Sequence, residues 1–168
     1  MKQLKTMWGG LLMLALMAVG CLPKAKHRAG LIGLANIAEG THEGAVTYKA
    51  DAVISTRFLL GKIGTDSAHV NLAGAADIPI GVITDEASEI EDGVNVNLLG
   101  SSKSTQKMVA GAAIAAGAFV VPTAGGKVIT LPASAGTYYI VGRALGAAAA
   151  DDDEIEVDPI PCVQRVVA

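Results

Sequence analysis

The feature that most restricts this chain is a pattern it uses twice. Gly81-Val82-Ile83-Thr84, the acidic stretch 85–92 and then Gly93-Val94-Asn95-Val96-Asn97-Leu98-Leu99 align without a gap on Gly142-Arg143-Ala144-Leu145, the stretch 146–153 and then Glu154-Ile155-Glu156-Val157-Asp158-Pro159-Ile160. Each copy, 81–99 and 142–160, enters on a short apolar run, crosses an Ala- and acid-rich connection and leaves on a strict alternation. Val94, Val96 and Leu98 alternate in one copy, Ile155 and Val157 in the other. A period of two puts those side chains on one face of a strand and Asn95, Asn97, Glu156 and Asp158 on the other. Two related β-units follow, too few for a solenoid.

The rest of the chain is punctuated in the same way. From residue 45 onward, short apolar runs at 45–49, 52–54, 57–63 and 69–73 are broken by Gly, Asp, Asn or Pro, which is how short strands of an all-β domain read. Residues 118–121 and 127–131 read as hairpin partners about Gly125-Gly126, because paired glycines supply the positive φ of a tight turn. With 51% hydrophobic, 17% charged and 4% aromatic residues, the core is built from Ala, Val, Ile and Leu. Too little Glu and Lys remains for long ion-paired surface helices. The expectation is an all-β fold, a compact barrel or sandwich of short strands over 45–168, preceded by an N-terminal apolar helix or arm. The formal charge of −3 and the scarcity of rings argue against a nucleic-acid partner, which needs basic patches or stacking platforms.

The N-terminus divides into two further segments. Residues 1–21 begin with Lys2 and Lys5, continue through an uncharged run of 14 residues from Met7 to Gly20 and end at Cys21. That run is shorter than the roughly 17–25 residues of a membrane-spanning helix and has the layout of a secretory signal peptide. Ala18-Val19-Gly20-Cys21 resembles a bacterial lipobox, with Ala18 where that pattern prefers Leu, so Cys21 is the candidate lipidation site. A plain export signal and a mis-called start are the other readings. Residues 22–44 form a basic arm or linker in which Lys24, Lys26 and Arg28 make a candidate partner-binding cluster. The chain's only other cysteine, Cys162, reads as a small buried apolar residue.

Candidate chemistry is thin, and no cofactor or metal site is expected. His27, His42 and His69 share no ligand spacing and read as solvated. Ser104-Thr105-Gln106-Lys107 matches Ser-x-x-Lys, but its companion Ser-Asp-Asn and Lys-Thr-Gly elements are missing. Gly125-Gly126-Lys127-Val128 lacks the first glycine and the closing Ser/Thr of a phosphate loop. Asp151-Asp152-Asp153-Glu154 lacks the alternate ligands and central Gly of a calcium loop and reads as a solvated acidic turn. No catalytic site emerges, so the chain reads as a non-enzyme.

Ile78-Pro79-Ile80-Gly81-Val82, the strand at 94–98, Ile114-Ala115-Ala116-Gly117-Ala118-Phe119-Val120, Gly125-Gly126-Lys127-Val128, residues 136–145 and the closing 154–157 resemble the small decoration, or cement, proteins of tailed-phage capsids. The likeness runs from about residue 45 to 167. It implies a β-rich structural protein on the outside of an assembled head shell, with the major capsid protein as partner and a homo-oligomer, a trimer, as the working form. An N-terminal arm reaching neighbouring coat subunits is part of the same implication. The signal-like segment departs from that pattern, since a virion protein assembled in the cytoplasm has no use for export. The alternative is a prophage-derived envelope lipoprotein that meets a membrane only through a lipidated Cys21. Met108 is the next Met after the segment, so a later start would need a non-Met codon.

Overall fold

The computed structural model describes residues 43–168, which are all-β apart from a single 3-10 turn at Ala124–Gly126. Ten strands fall into two sets of five. The first set is β1 (Ala45–Ala50), β2 (Leu59–Ile63), β3 (His69–Leu72), β4 (Gly81–Ile83) and β5 (Gly93–Leu98), closed into a barrel in the order β1-β3-β2-β4-β5. The second is β6 (Gln106–Val109), β7 (Phe119–Pro122), β8 (Val128–Thr130), β9 (Gly136–Ala144) and β10 (Glu154–Val167), in the order β6-β10-β9-β7-β8. A parallel bridge from Ala110 to Val128 joins the two ends of this second sheet. Residues 52–54, expected as a strand, contribute only a bridge from Ile54 to Ala87.

The two sets share one pairing scheme. Gly81 pairs with Leu98 and Ile83 with Val96; 61 residues on, Gly142 pairs with Pro159 and Ala144 with Val157. The correspondence continues outside that segment. Tyr48 opposite Val94 matches Met108 opposite Ile155, Gly61 opposite Leu72 matches Val120 opposite Thr130, and the parallel closure of Ala50 on Val70 matches Ala110 on Val128. Residues 45–98 and 106–159 are therefore two copies of one five-stranded unit, with small length differences in the loops.

Alternation explains the cores. Val94 and Val96 are fully buried, as are Ile155 and Val157, while Glu156 and Asp158 stand in solvent. At Gly142 the chains approach so closely that a Cβ would lie 2.6 Å from the Asp158 carbonyl oxygen, and at the matching Gly81 it would collide with the Asn97 carbonyl. Only glycine fits either position. The connections between these strands are also alike: the Asp92 carboxylate accepts from the amides of Ser88 and Glu89, and Asp153 accepts from those of Ala149 and Ala150.

A hydrophobic seam joins the units. In the first unit Leu59 and Ile83 point into its own core, so Leu60 and Val82 alternate outward and bury themselves in the core cluster of the second, with Met108, Val141 and Val157. Val109 returns the packing by entering the first unit's cluster. Main-chain bonds cross the seam from Gly126 N to Ala73 O (2.8 Å) and from Val109 N to Phe58 O (3.2 Å). Gly126 lies so close that a Cβ there would be 2.8 Å from the Leu60 carbonyl oxygen. Phe58 holds a left-handed φ of 64°, which costs on the order of 1 kcal/mol or more in a non-glycine residue. Its ring packs against both clusters and sits 5.5 Å below the Lys107 ammonium.

Candidate functional site

The residues that could have carried chemistry are engaged with one another. Lys107, the would-be activator of Ser104, donates to Glu154 at 2.8 Å and covers the Phe58 ring, while the Ser104 hydroxyl lies 3.2 Å from that of Ser102. No Ser–Lys dyad exists. The acidic turn is paired rather than simply solvated: Lys127 bonds Asp151 and Asp152, both at 2.7 Å, and Glu154 takes Lys107. Among the described residues no group of His, Cys, Asp or Glu is arranged to hold a metal ion. Among them, too, no helix is long and apolar enough to cross a membrane.

His69 corrects the expectation of a solvated histidine. Its side chain is only 13% exposed, and its two ring nitrogens meet Asp66 (2.7 Å) and Glu91 (2.8 Å). Hydrogen bonding to Asp66 and then Glu91 raises its pKa; the Asp66 carboxyl is lowered by its bond to His69, and that of Glu91 first by Lys49 and then by His69. The second unit has an ion pair in the corresponding place, between Lys127, just before β8, and Asp152, which like Glu91 holds a left-handed φ. The spacing of His69, Asp66 and Glu91 gave no sign of this, because the strand closure is what brings Glu91 to the ring.

One element has no counterpart in the first unit. Beyond the duplicated pairs, β9 and β10 continue together as a two-stranded ribbon, Val163 opposite Ile140 through Val167 opposite Gly136. A register shift between Pro159 and Val163 separates it from the duplicated part of the sheet. Among the described residues no third strand pairs with this stretch, so both edges present free backbone groups. Its side chains include Val163 and Val166, which are 50% and 67% exposed. A two-stranded ribbon of this kind is the sort of surface that a partner's sheet extends. Cys162 sits at its root as a free, half-buried thiol whose pKa burial raises. Cys21, Lys24, Lys26 and Arg28 lie outside the described residues, as does the whole of 1–21 and all of the arm except Glu43 and Gly44.

Residues 37–159 match the family model of the phage cement protein. The chain belongs to the phage cement protein family. A solved structure, the head fiber gp8.5 N base in bacteriophage phi29, has a similar fold, with a TM-score of 0.53 and 18% sequence identity over 70% of this chain and 94% of that one. No curated protein matches the chain. Membership makes this cement protein a structural protein of phages, and the family match ends at residue 159, where the ribbon's β10 half begins. The two edges that look most like a docking surface are thus partly outside what the family model describes.

Proposed function

We propose that this cement protein binds the outside of an assembled phage capsid, contacts the major capsid protein and stabilises the shell as a homo-oligomer without catalysing a reaction. Family membership is the observation that carries the reading. The surface chemistry agrees with it. The ribbon offers free backbone groups beside exposed valines, which suits main-chain pairing with a coat segment. Many subunits on one shell then turn individually weak contacts into durable attachment. The basic arm, with Lys24, Lys26 and Arg28, steers the subunit toward acidic coat surface.

The test is reconstitution. Full-length protein is added to capsids that lack it, and bound copies per shell are counted after density-gradient sedimentation. Val166→Glu, on the ribbon and 67% exposed in the free chain, is expected to lower occupancy while leaving the fold intact by circular dichroism. Mass spectrometry of the native N-terminus addresses the envelope alternative: a diacylglyceryl group on Cys21 in a membrane fraction, with none of the protein in virions, would replace the capsid reading.

A further inference from the structure

Among the described residues every basic side chain but one is engaged. Each lysine, and Arg57, faces a carboxylate at 2.7–3.4 Å, and Arg143 donates to the Gly117 carbonyl at 3.0 Å. The exception is Arg165, which stands exposed on the ribbon's β10 strand. It is the sole charge in residues 136–140 and 163–167, and the neighbouring β7 and β8 hold no Asp or Glu either. A lone solvated arginine is ordinary on a protein surface. This one lies on a strand edge that also lacks a partner.

The pairing sets Arg165 opposite Tyr138, Val163 opposite Ile140 and Val167 opposite Gly136. Alternation then places Val163, Arg165 and Val167 on one face of β10, and Gln164 and Val166 on the other. Val163 and Val166 are 50% and 67% exposed, so both faces are open. The edge becomes free only past Pro161, where Gly100 closes on it: a Cβ on Gly100 would lie 2.7 Å from the proline Cγ. Along 163–167 there is neither the lysine nor the proline that blunts an exposed strand edge. This stretch also lies beyond residue 159, where the family match ends.

We infer that the β10 edge at 163–167 takes an extended acidic segment of the coat protein as a third strand, with an Asp or Glu opposite Arg165 and apolar residues opposite Val163 and Val167. The inference rests on the capsid-binding reading and gives the partner its chemistry. Main-chain pairing supplies the attachment. The carboxylate receives the guanidinium through two parallel N–H···O bonds and fixes the register, because a slip of one residue would carry the acid to the opposite face.

The test is a titration of isotope-labelled full-length protein, followed by NMR, with the capped peptide Thr-Thr-Val-Thr-Glu-Thr-Val-Thr-Thr and its twin carrying Lys in place of Glu. The acidic peptide is expected to shift the backbone amides of 163–167. The Lys twin should bind roughly fivefold or more weakly, since opposite charges facing each other across two strands favour pairing and like charges oppose it. Arg165→Glu should reverse the order and prefer the Lys peptide, which mere loss of ribbon structure would not do. If Arg165→Glu loses the strand pattern of its ribbon amides, Arg165→Gln takes its place and should bind the two peptides equally. No shift along 163–167, equal binding of both peptides by the wild type, or a preference that the variants leave unchanged would each overturn the inference. Co-sedimentation with capsids separates it from the reading beneath it. A wild type that ignores shells yet prefers the acidic peptide would remove the coat protein as occupant and keep the edge as an acidic-strand site. Shells that bind wild type and Arg165→Glu equally well would leave the capsid reading standing and overturn this one.

Discussion

Gln106 gives the sharpest energetic prediction. It pairs with Val157 on β6 in the position that Val46 occupies opposite Val96 in the first unit, and it is only 5% exposed. Among the described residues, neither its amide nitrogen nor its amide oxygen has a hydrogen-bond partner. A buried polar group left unpaired costs about 1–3 kcal/mol. Gln106→Met keeps the unbranched shape of the side chain and removes both polar atoms, so little cavity or strain enters. It should therefore stabilise the protein by about 1–3 kcal/mol. For a domain of this size each kcal/mol moves the melting temperature by roughly 3–5 °C. Guanidinium unfolding followed by circular dichroism measures it, with an unchanged m-value as the check that the unfolded state is the same. The reciprocal change, Val46→Gln, should cost at least about 1 kcal/mol, since it adds an unpaired amide and excess volume to the other core. A Gln106→Met protein less stable than wild type by 1 kcal/mol or more, with the fold retained, would refute the assignment of that amide as a liability.

Gly142→Ala should destabilise by about 1–3 kcal/mol, because the new methyl meets the Asp158 carbonyl and a Val157 methyl, and thermal melting reads it. Asp153→Ala removes the acceptor for the Ala149 and Ala150 amides and should cost about 1–3 kcal/mol in the same assay. The His69 cluster sets a pH profile. The raised pKa of His69 means its contribution is present below its ordinary value of 6.5 and fades as pH rises through the folded value, while the lowered carboxyls of Asp66 and Glu91 lose theirs only as pH falls below about 4.5. His69→Lys, which copies the Lys127 of the second unit, should abolish the alkaline loss in melts taken between pH 6 and 9; an unchanged slope would separate the loss from this histidine.

What the sequence exposed was governed by which contacts are local. Val94, Val96, Ile155 and Val157 alternate in contiguous strands, and Gly81 and Gly142 mark the closest approaches, so the all-β fold and its best-preserved segment were legible there. The first three strands of each unit were not recognised as copies. Their register positions hold Val46 against Gln106, Tyr48 against Met108 and Ala50 against Ala110, and loop lengths shift the offset between 58 and 61 residues. A gapless comparison keeps only the segment where the offset is constant. The ribbon was hidden for a different reason. Pro159 and Pro161 carry no N–H for a strand ladder, and they fall in the irregular stretch where β10 changes register and resumes at Val163. The pairing of His69 with Glu91 and of Lys127 with Asp152 joins residues distant in sequence, which only strand closure could reveal.

The measurement closest to the central claim is the thermal stability of capsids with and without bound protein. Purified shells lacking the protein are heated alone and after addition of the full-length chain, and rupture is followed by light scattering and by release of internal DNA. Shells that bind the protein at a fixed number of copies and rupture at a higher temperature are the result predicted for a phage cement protein. Shells that recruit no protein at saturating concentration, or recruit it and rupture at the same temperature, would contradict the account.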